Sequence, residues 1–294
     1  MSDYLFMQME PWKRTPSITL ALPVSLVSDV PHIREQTSKI GIVARAAATF
    51  RIDEIIIYRD RPYEDQDREA ELIVALLRYI ETPQYLRKLL FPTDPLLRYA
   101  GILPPLRTPH HPLEKQSASL RSGEFREGVV LGKIGTRASI EIGVERPGIL
   151  SELLPEQTRV TVKIEGISKE IISVRRADPS EIGIYWGFHV SDSNLALGDS
   201  IKKGLFDLMI ATSRSGKPLT ESIVEIRERC RSAQRILIAF GSPRDGLENI
   251  LAREELALTS MFDFNVNTVP LQGVETIRTE EAVWATLAVF NLMI

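Results

Sequence analysis

The stretch NTVPLQGVETIRTEEAVWATLAVFN, Asn267 to Asn291, decides how this chain is read. A strand ends at Pro270, a turn is centred on Gly273, and an apolar helix closes the chain. Closing a fold needs only a cap and an apolar helix face. Thr279 is the expected N-cap, with Glu280 and Glu281 in the first turn, where carboxylates suit the helix dipole. That accounts for the two glutamates. It leaves Asn267, Gln272, Glu275, Thr276 and Arg278 crowded ahead of the helix, more polarity than capping requires, so a functional reading gains ground over mere closure.

Working outward, the nearest match in kind is ILIAFGSPRDGL, Ile236 to Leu247. A buried strand runs into Gly241-Ser242-Pro243, with Gly246 before a run of helix formers. In open α/β sheets, ligands sit at the carboxyl ends of strands, where glycines admit a ligand close to the backbone. By itself the junction is better read as an ordinary strand-turn-helix with a serine cap and a proline in the first turn. The N-terminal part repeats the alternation. SITLALPVSL is a strand, Ser28 or Asp29 is the expected cap of a helix running to Phe50, IDEIIIYRD is a buried strand, and DQDREAELIVALLRYIE is a strongly periodic helix. A parallel sheet with helices on its faces follows.

Six prolines between Thr82 and Pro109 break that regime. Beyond them EGVVLGKIGTRASIEIGV, TRVTVKIEG and KEIISVRRAD are short alternating strands punctuated by glycine, the pattern of a small β-barrel or sandwich about the size of an OB-type module. The α/β pattern then resumes. The economical reading is one discontinuous α/β domain, 1–108 and 195–294, carrying an inserted β module at 109–194.

Composition narrows the class. In 294 residues, a net charge of -3 offers no global basic field, so an anionic partner must be met by a local patch. The single cysteine, Cys230, rules out an internal disulfide framework and indicates a reducing compartment. Lys13 and Arg14 before SITLALPVSLV imitate a secretion signal, but Pro23 interrupts the run and no cleavage site follows. A cytoplasmic protein without membrane spans is expected. His110-His111 lack further ligands at metal spacing, so no metal is expected. The G-x-G-x-x-G, Walker A, G-x-S-x-G and H-E-x-x-H patterns are all absent, which weakens nicotinamide, nucleotide-hydrolysis, serine-hydrolase and zincin readings.

Taken together, ARAAATF-RIDEIIIY, AFGSPRDGL and the C-terminal stretch resemble the three motifs of the SPOUT superfamily of S-adenosylmethionine-dependent RNA methyltransferases. YLRKLLFPTDPLLRYAGILPPLRTPHHPL and the β insert are similar to the archaeal and eukaryotic branch that carries an inserted OB-like domain. The resemblance covers nearly the whole chain. It implies a Rossmann-like parallel sheet with a deep C-terminal trefoil knot, an exception to the general rule against knotted chains. It also implies a homodimer and S-adenosylmethionine wrapped by the last strand, turn and helix.

By the same resemblance, Gly241, Ser242, Pro243 and Gly246 form one wall of the cofactor site, and Asn267, Val269, Pro270, Gln272, Gly273, Thr276 and Ile277 the other. Arg45 matches the arginine that many of these enzymes place in the first motif. Lys39, six residues earlier, departs from the asparagine that relatives often carry. If the target is uridine N3, Arg45 or Arg278 is the candidate for stabilising the anion, and Glu275 for base or substrate orienter. An OB-like insert implies RNA contacts from Lys133, Arg137, Lys163, Arg175 and Arg176. The competing reading is a non-catalytic dimeric RNA-binding or assembly protein that keeps the knot.

Overall fold

The computed structural model describes residues 10–294. In chain order, strand β1 (Ser17–Pro23) leads through a buried 3-10 turn, Val24–Val27, to helix α1 (Ile33–Thr49). Strand β2 (Glu54–Arg59) and helix α2 (Asp67–Glu81) follow. In α2 the residues Ile73, Leu76, Leu77 and Ile80 fall on one buried face. Asp67 and Glu69 in its first turn and Arg78 in its last suit the dipole. The expected cap of α1 is corrected. His32, not Ser28 or Asp29, sits at the N-cap, its Nδ1 accepting from the Arg34 N–H at 3.1 Å. Asp29 is committed instead to Lys39.

The proline-rich segment holds helix α3 (Gln84–Leu90) and short 3-10 turns. Five strands follow: β3 (Phe125–Ile134), β4 (Arg137–Glu141), β5 (Gly148–Leu150), β6 (Arg159–Ile167) and β7 (Ile172–Arg176). They close a barrel in the order β3-β4-β5-β7-β6. Val160, Val162 and Ile164 alternate inward along β6 to meet Ile140, Ile142, Ile172 and Val174, one apolar face of a period-2 pattern. At one end the barrel is polar. The Glu127 carboxylate, 3% exposed, accepts from Arg159 Nε at 2.6 Å and Trp186 Nε1 at 2.7 Å, which satisfies a charge that burial alone would penalise.

The chain then builds β8 (His189–Ala196), α4 (Leu197–Lys203), β9 (Leu208–Pro218), α5 (Leu219–Ser232) and β10 (Arg235–Ala239). It ends in α6 (Leu247–Ala252), α7 (Leu258–Met261), β11 (Phe264–Asn267) and α8 (Thr279–Met293). Six strands form one sheet in the order β11-β9-β10-β1-β2-β8, every neighbouring pair parallel. Alternation sorts the sheet's two faces. Ile18, Leu20, Leu22, Ile236 and Ile238 pack with α1, α2 and α8 residues, whereas Ala21, Leu237 and Ala239 pack with α4, α6 and α7 residues. A fully buried Ile or Leu contributes ~1.5–3 kcal/mol, so these two layers dominate the unit's stability.

Compactness divides the described chain into two units. Residues 10–14, 82–92 and 107–187 form the barrel unit, and residues 15–81, 93–106 and 188–294 the sheet unit. The sheet's edge strand β8 lies just past the β module, in the stretch where strands alone were read from sequence. Among the described residues no helix is long and apolar enough to cross a membrane.

Candidate active site

Three segments of the sheet unit converge at the carboxyl ends of β9, β10 and β11 around a cavity of about 420 Å³. The first is the β10–α6 loop. Gly241 is required here by its own loop, because a Cβ would lie 2.8 Å from the Asp245 carbonyl oxygen. Ser242 N–H donates to that same oxygen at 2.8 Å, and Asp245 N–H donates to Ser242 Oγ at 3.0 Å. The Asp245 carboxylate is held by Arg253 at 2.9 Å, and Arg253 also donates to the Asp60 carbonyl just beyond β2. The Tyr58 hydroxyl, fully buried on β2, donates at 2.7 Å to the Phe240 carbonyl that opens the loop. Burial and the nearby Asp60 and Glu254 carboxylates push its phenol well above the ordinary value. Tyr58→Phe is expected to lower stability by about 1–2 kcal/mol, the loss of one buried hydrogen bond, checked by urea unfolding.

The second segment runs from Asn267 to Ile277. Asn267 spans two walls, its Nδ2 donating to the Arg214 carbonyl and its Oδ1 accepting from Val269 N–H, both at 2.9 Å. Gln272 Nε2 donates to the carbonyls of Val274 and Glu275, and Arg214 Nη1 reaches the Glu275 carbonyl at 2.7 Å. Leu271 takes a φ of 56° in this turn. Thr268 and Thr286 share a hydroxyl contact of 2.8 Å that fastens the segment to α8.

The third wall, Thr212 to Ser215, was not expected from sequence. β11 pairs with β9 at Asn265↔Ala211 and next at Val266↔Lys217, so one step on β11 skips five residues of β9. The skipped residues, Thr212–Gly216, bow outward, and four of them line the cavity. Gly216 lies where a Cβ would be 2.7 Å from Val266 backbone carbon, so the detour needs glycine to stay closed against β11.

The expected cofactor residues therefore largely come together. Gly241, Ser242, Pro243, Gly246, Asn267, Val269, Gln272, Thr276 and Ile277 line the cavity; Pro270 and Gly273 do not. The capping of α8 differs from expectation. Arg278 occupies the N-cap, its N–H donating to Glu281 at 2.9 Å, while Thr279 is the first helical residue and lines the cavity. Glu280 turns inward, 5% exposed, to meet Lys39 at 3.1 Å.

The other candidates lie apart. Glu275 and Arg278 are exposed beside the lining residues Thr276 and Ile277. Arg45 is outside the lining, its Nη1 donating to the carbonyls of Pro105 at 2.7 Å and Leu106 at 2.9 Å. On the barrel, Lys133 and Arg137 face solvent at the β3–β4 turn, whereas Lys163 pairs in register with Arg175, next to Arg176. Lys163 and Arg175 share Glu181 at 2.9 and 2.5 Å, which neutralises part of that patch and holds the Glu181 carboxyl far below its usual range. Among the described residues no cluster of His, Cys, Asp or Glu is arranged to hold a metal.

The fold and this cavity define a mixed α/β protein with a ligand cleft at the carboxyl ends of parallel strands. The chain belongs to the family described as "Putative RNA methyltransferase", whose model matches residues 17–290. It is 36% identical to an uncharacterised protein of Halobacterium salinarum over 93% of this chain and 98% of that one. It is 33% identical to the 28S rRNA (uridine-N(3))-methyltransferase of Drosophila melanogaster over 94% of its length, spanning 62% of the fly protein. The mouse protein of the same name is 31% identical over 94% of this chain and 76% of its own.

Proposed function

We propose that the protein is an S-adenosylmethionine-dependent methyltransferase acting on N3 of a uridine in large-subunit rRNA. The observation that carries the reading is the convergence of the β10–α6 loop and the Asn267–Ile277 segment on one cavity, in a chain of an RNA methyltransferase family. The residues fit the cofactor. The cavity lies in the range of small-molecule sites, and its lining mixes apolar Phe240, Val269, Ile277 and Ala282 with glycines and hydroxyls, as an adenosine joined to an amino acid requires. The uridine target rests on the names of the fly and mouse relatives.

Bound S-adenosylmethionine would supply a methyl group on a sulfonium for in-line transfer to the nucleophilic nitrogen. The chain's own part is chiefly alignment, and the bonds of Asn267, Gln272 and Asp245 hold both walls rigid for it. N3 lies on the pairing edge of uracil, so the base must be unpaired and presented to the pocket. As N3 gives up its proton, charge spreads onto the carbonyl oxygens. Arg278 on the rim, or Arg45 through the N–H groups not committed to Pro105 and Leu106, stabilises it, and exposed Glu275 orients the base or takes the proton. The C-terminal trefoil knot, the homodimer and the OB-like character of the barrel belong to the same reading. So do RNA contacts from the barrel, in which exposed Lys133, Arg137 and Arg176 weigh more than the paired Lys163 and Arg175.

Isothermal titration with S-adenosylmethionine and S-adenosylhomocysteine tests the site, followed by nucleoside mass spectrometry of an unmodified large-subunit rRNA transcript. Micromolar binding and the appearance of 3-methyluridine are expected. A folded protein that binds neither compound, with or without RNA, would overturn the reading and leave the non-catalytic RNA-binding one.

A further inference from the structure

We propose that Arg244 is an RNA-phosphate contact on the rim of the cavity, anchoring the backbone beside the target nucleotide; this rests on the reading above. The residue lines the cavity, is exposed, and makes no hydrogen bond or ion pair among the described residues. Of the other charges of the lining, Asp245 is taken by Arg253 at 2.9 Å and Arg214 is tied to the Glu275 carbonyl at 2.7 Å, while Glu248 is exposed in the first turn of α6, where a carboxylate suits the helix dipole.

An exposed arginine is ordinarily a solvated side chain, and what sets this one apart is its platform. Ser242 and Asp245 close the turn around it with contacts of 2.8, 3.0 and 3.3 Å, Pro243 fixes φ on one side, and Arg253 pins the other to the end of β2. The backbone is therefore held while the guanidinium is uncommitted. A planar fork of donors on a rigid tip suits a phosphate, which takes two parallel N–H bonds. With a net charge of -3 the molecule has no general attraction for RNA, so local cations must supply it.

The test compares wild type with Arg244→Gln and Arg244→Lys, measuring binding of a large-subunit rRNA transcript across a salt series and S-adenosylmethionine affinity separately. Arg244→Gln is expected to weaken RNA binding about five- to tenfold and to reduce the salt slope by about one, with a smaller effect on cofactor affinity. Arg244→Lys should keep the slope and recover part of the affinity. Unchanged RNA binding overturns the proposal, and if cofactor affinity falls in its place, Arg244 serves the methionine carboxylate. A wild type that binds RNA but no cofactor would sink the enzymatic reading, while the salt slopes would still decide Arg244.

Discussion

Gly246→Trp is expected to weaken S-adenosylmethionine binding about a hundredfold or more, equivalent to at least ~2.7 kcal/mol, while leaving the unfolding midpoint where it is. Gly246 lines the cavity, and a Cβ built on it meets no atom within 4 Å. Its φ of -71° is open to any residue, so neither the backbone nor the first carbon of a side chain is strained there. The bulk takes space that the bound molecule needs. Gly241 provides the contrast within the same loop, since its Cβ would meet the Asp245 carbonyl oxygen at 2.8 Å. Gly241→Ala should lower both stability and binding, because the loop must open to accept it. Titration calorimetry and thermal unfolding on the two variants separate the cases. Full binding by a folded Gly246→Trp protein would mean that the cavity is not the cofactor site.

What sequence could and could not show has a physical pattern. Local periodicity exposed β2, with Ile55-Ile56-Ile57 between charges, and α2, with apolar residues at helical spacing; both elements are set by patterns inside one segment. The two glycine-bearing loops were legible for the same reason. Thr212–Ser215 was not, because LMIATSRSGKP runs as one strand, β9, and the detour exists only in its pairing with β11. The polar, small-residue run TSRSG inside an otherwise apolar strand was the available signal. Caps were misplaced where tertiary partners decided them, as Asp29 was drawn to Lys39 and Thr279 to the cavity. The basic residues of the barrel show the limit most plainly. Lys163 and Arg175 count as cations in sequence, yet Glu181, on a separate turn, pairs with both and offsets one of the two charges.

Lys39→Met is expected to destabilise the protein by about 3–5 kcal/mol, the usual consequence of removing one partner from a buried ion pair. The Lys39 side chain is 4% exposed and stands between Asp29 at 2.6 Å and Glu280 at 3.1 Å, whose side chains are 27% and 7% exposed. Asp29 can fall back on water. Glu280 cannot, and its Oε2 already lacks any hydrogen bond, so its contact with Lys39 is coulombic only. Without the ammonium, that carboxylate is a buried and uncompensated charge. Lys39→Met with Glu280→Met should therefore recover most of the loss, since replacing a buried pair by apolar side chains of similar size is near neutral. Urea unfolding of the single and double variants makes the comparison, and a single variant that loses under about 1 kcal/mol would show the pair to be water-screened. The same variants bear on the site. Glu280 follows Thr279, which lines the cavity, and it begins the helix that closes the Asn267–Ile277 segment. Lys39 would then act by fixing the start of α8. If the double variant regains stability without regaining cofactor affinity, the ion pair sets the position of that wall; if it regains both, apolar packing at α1 is enough to hold it.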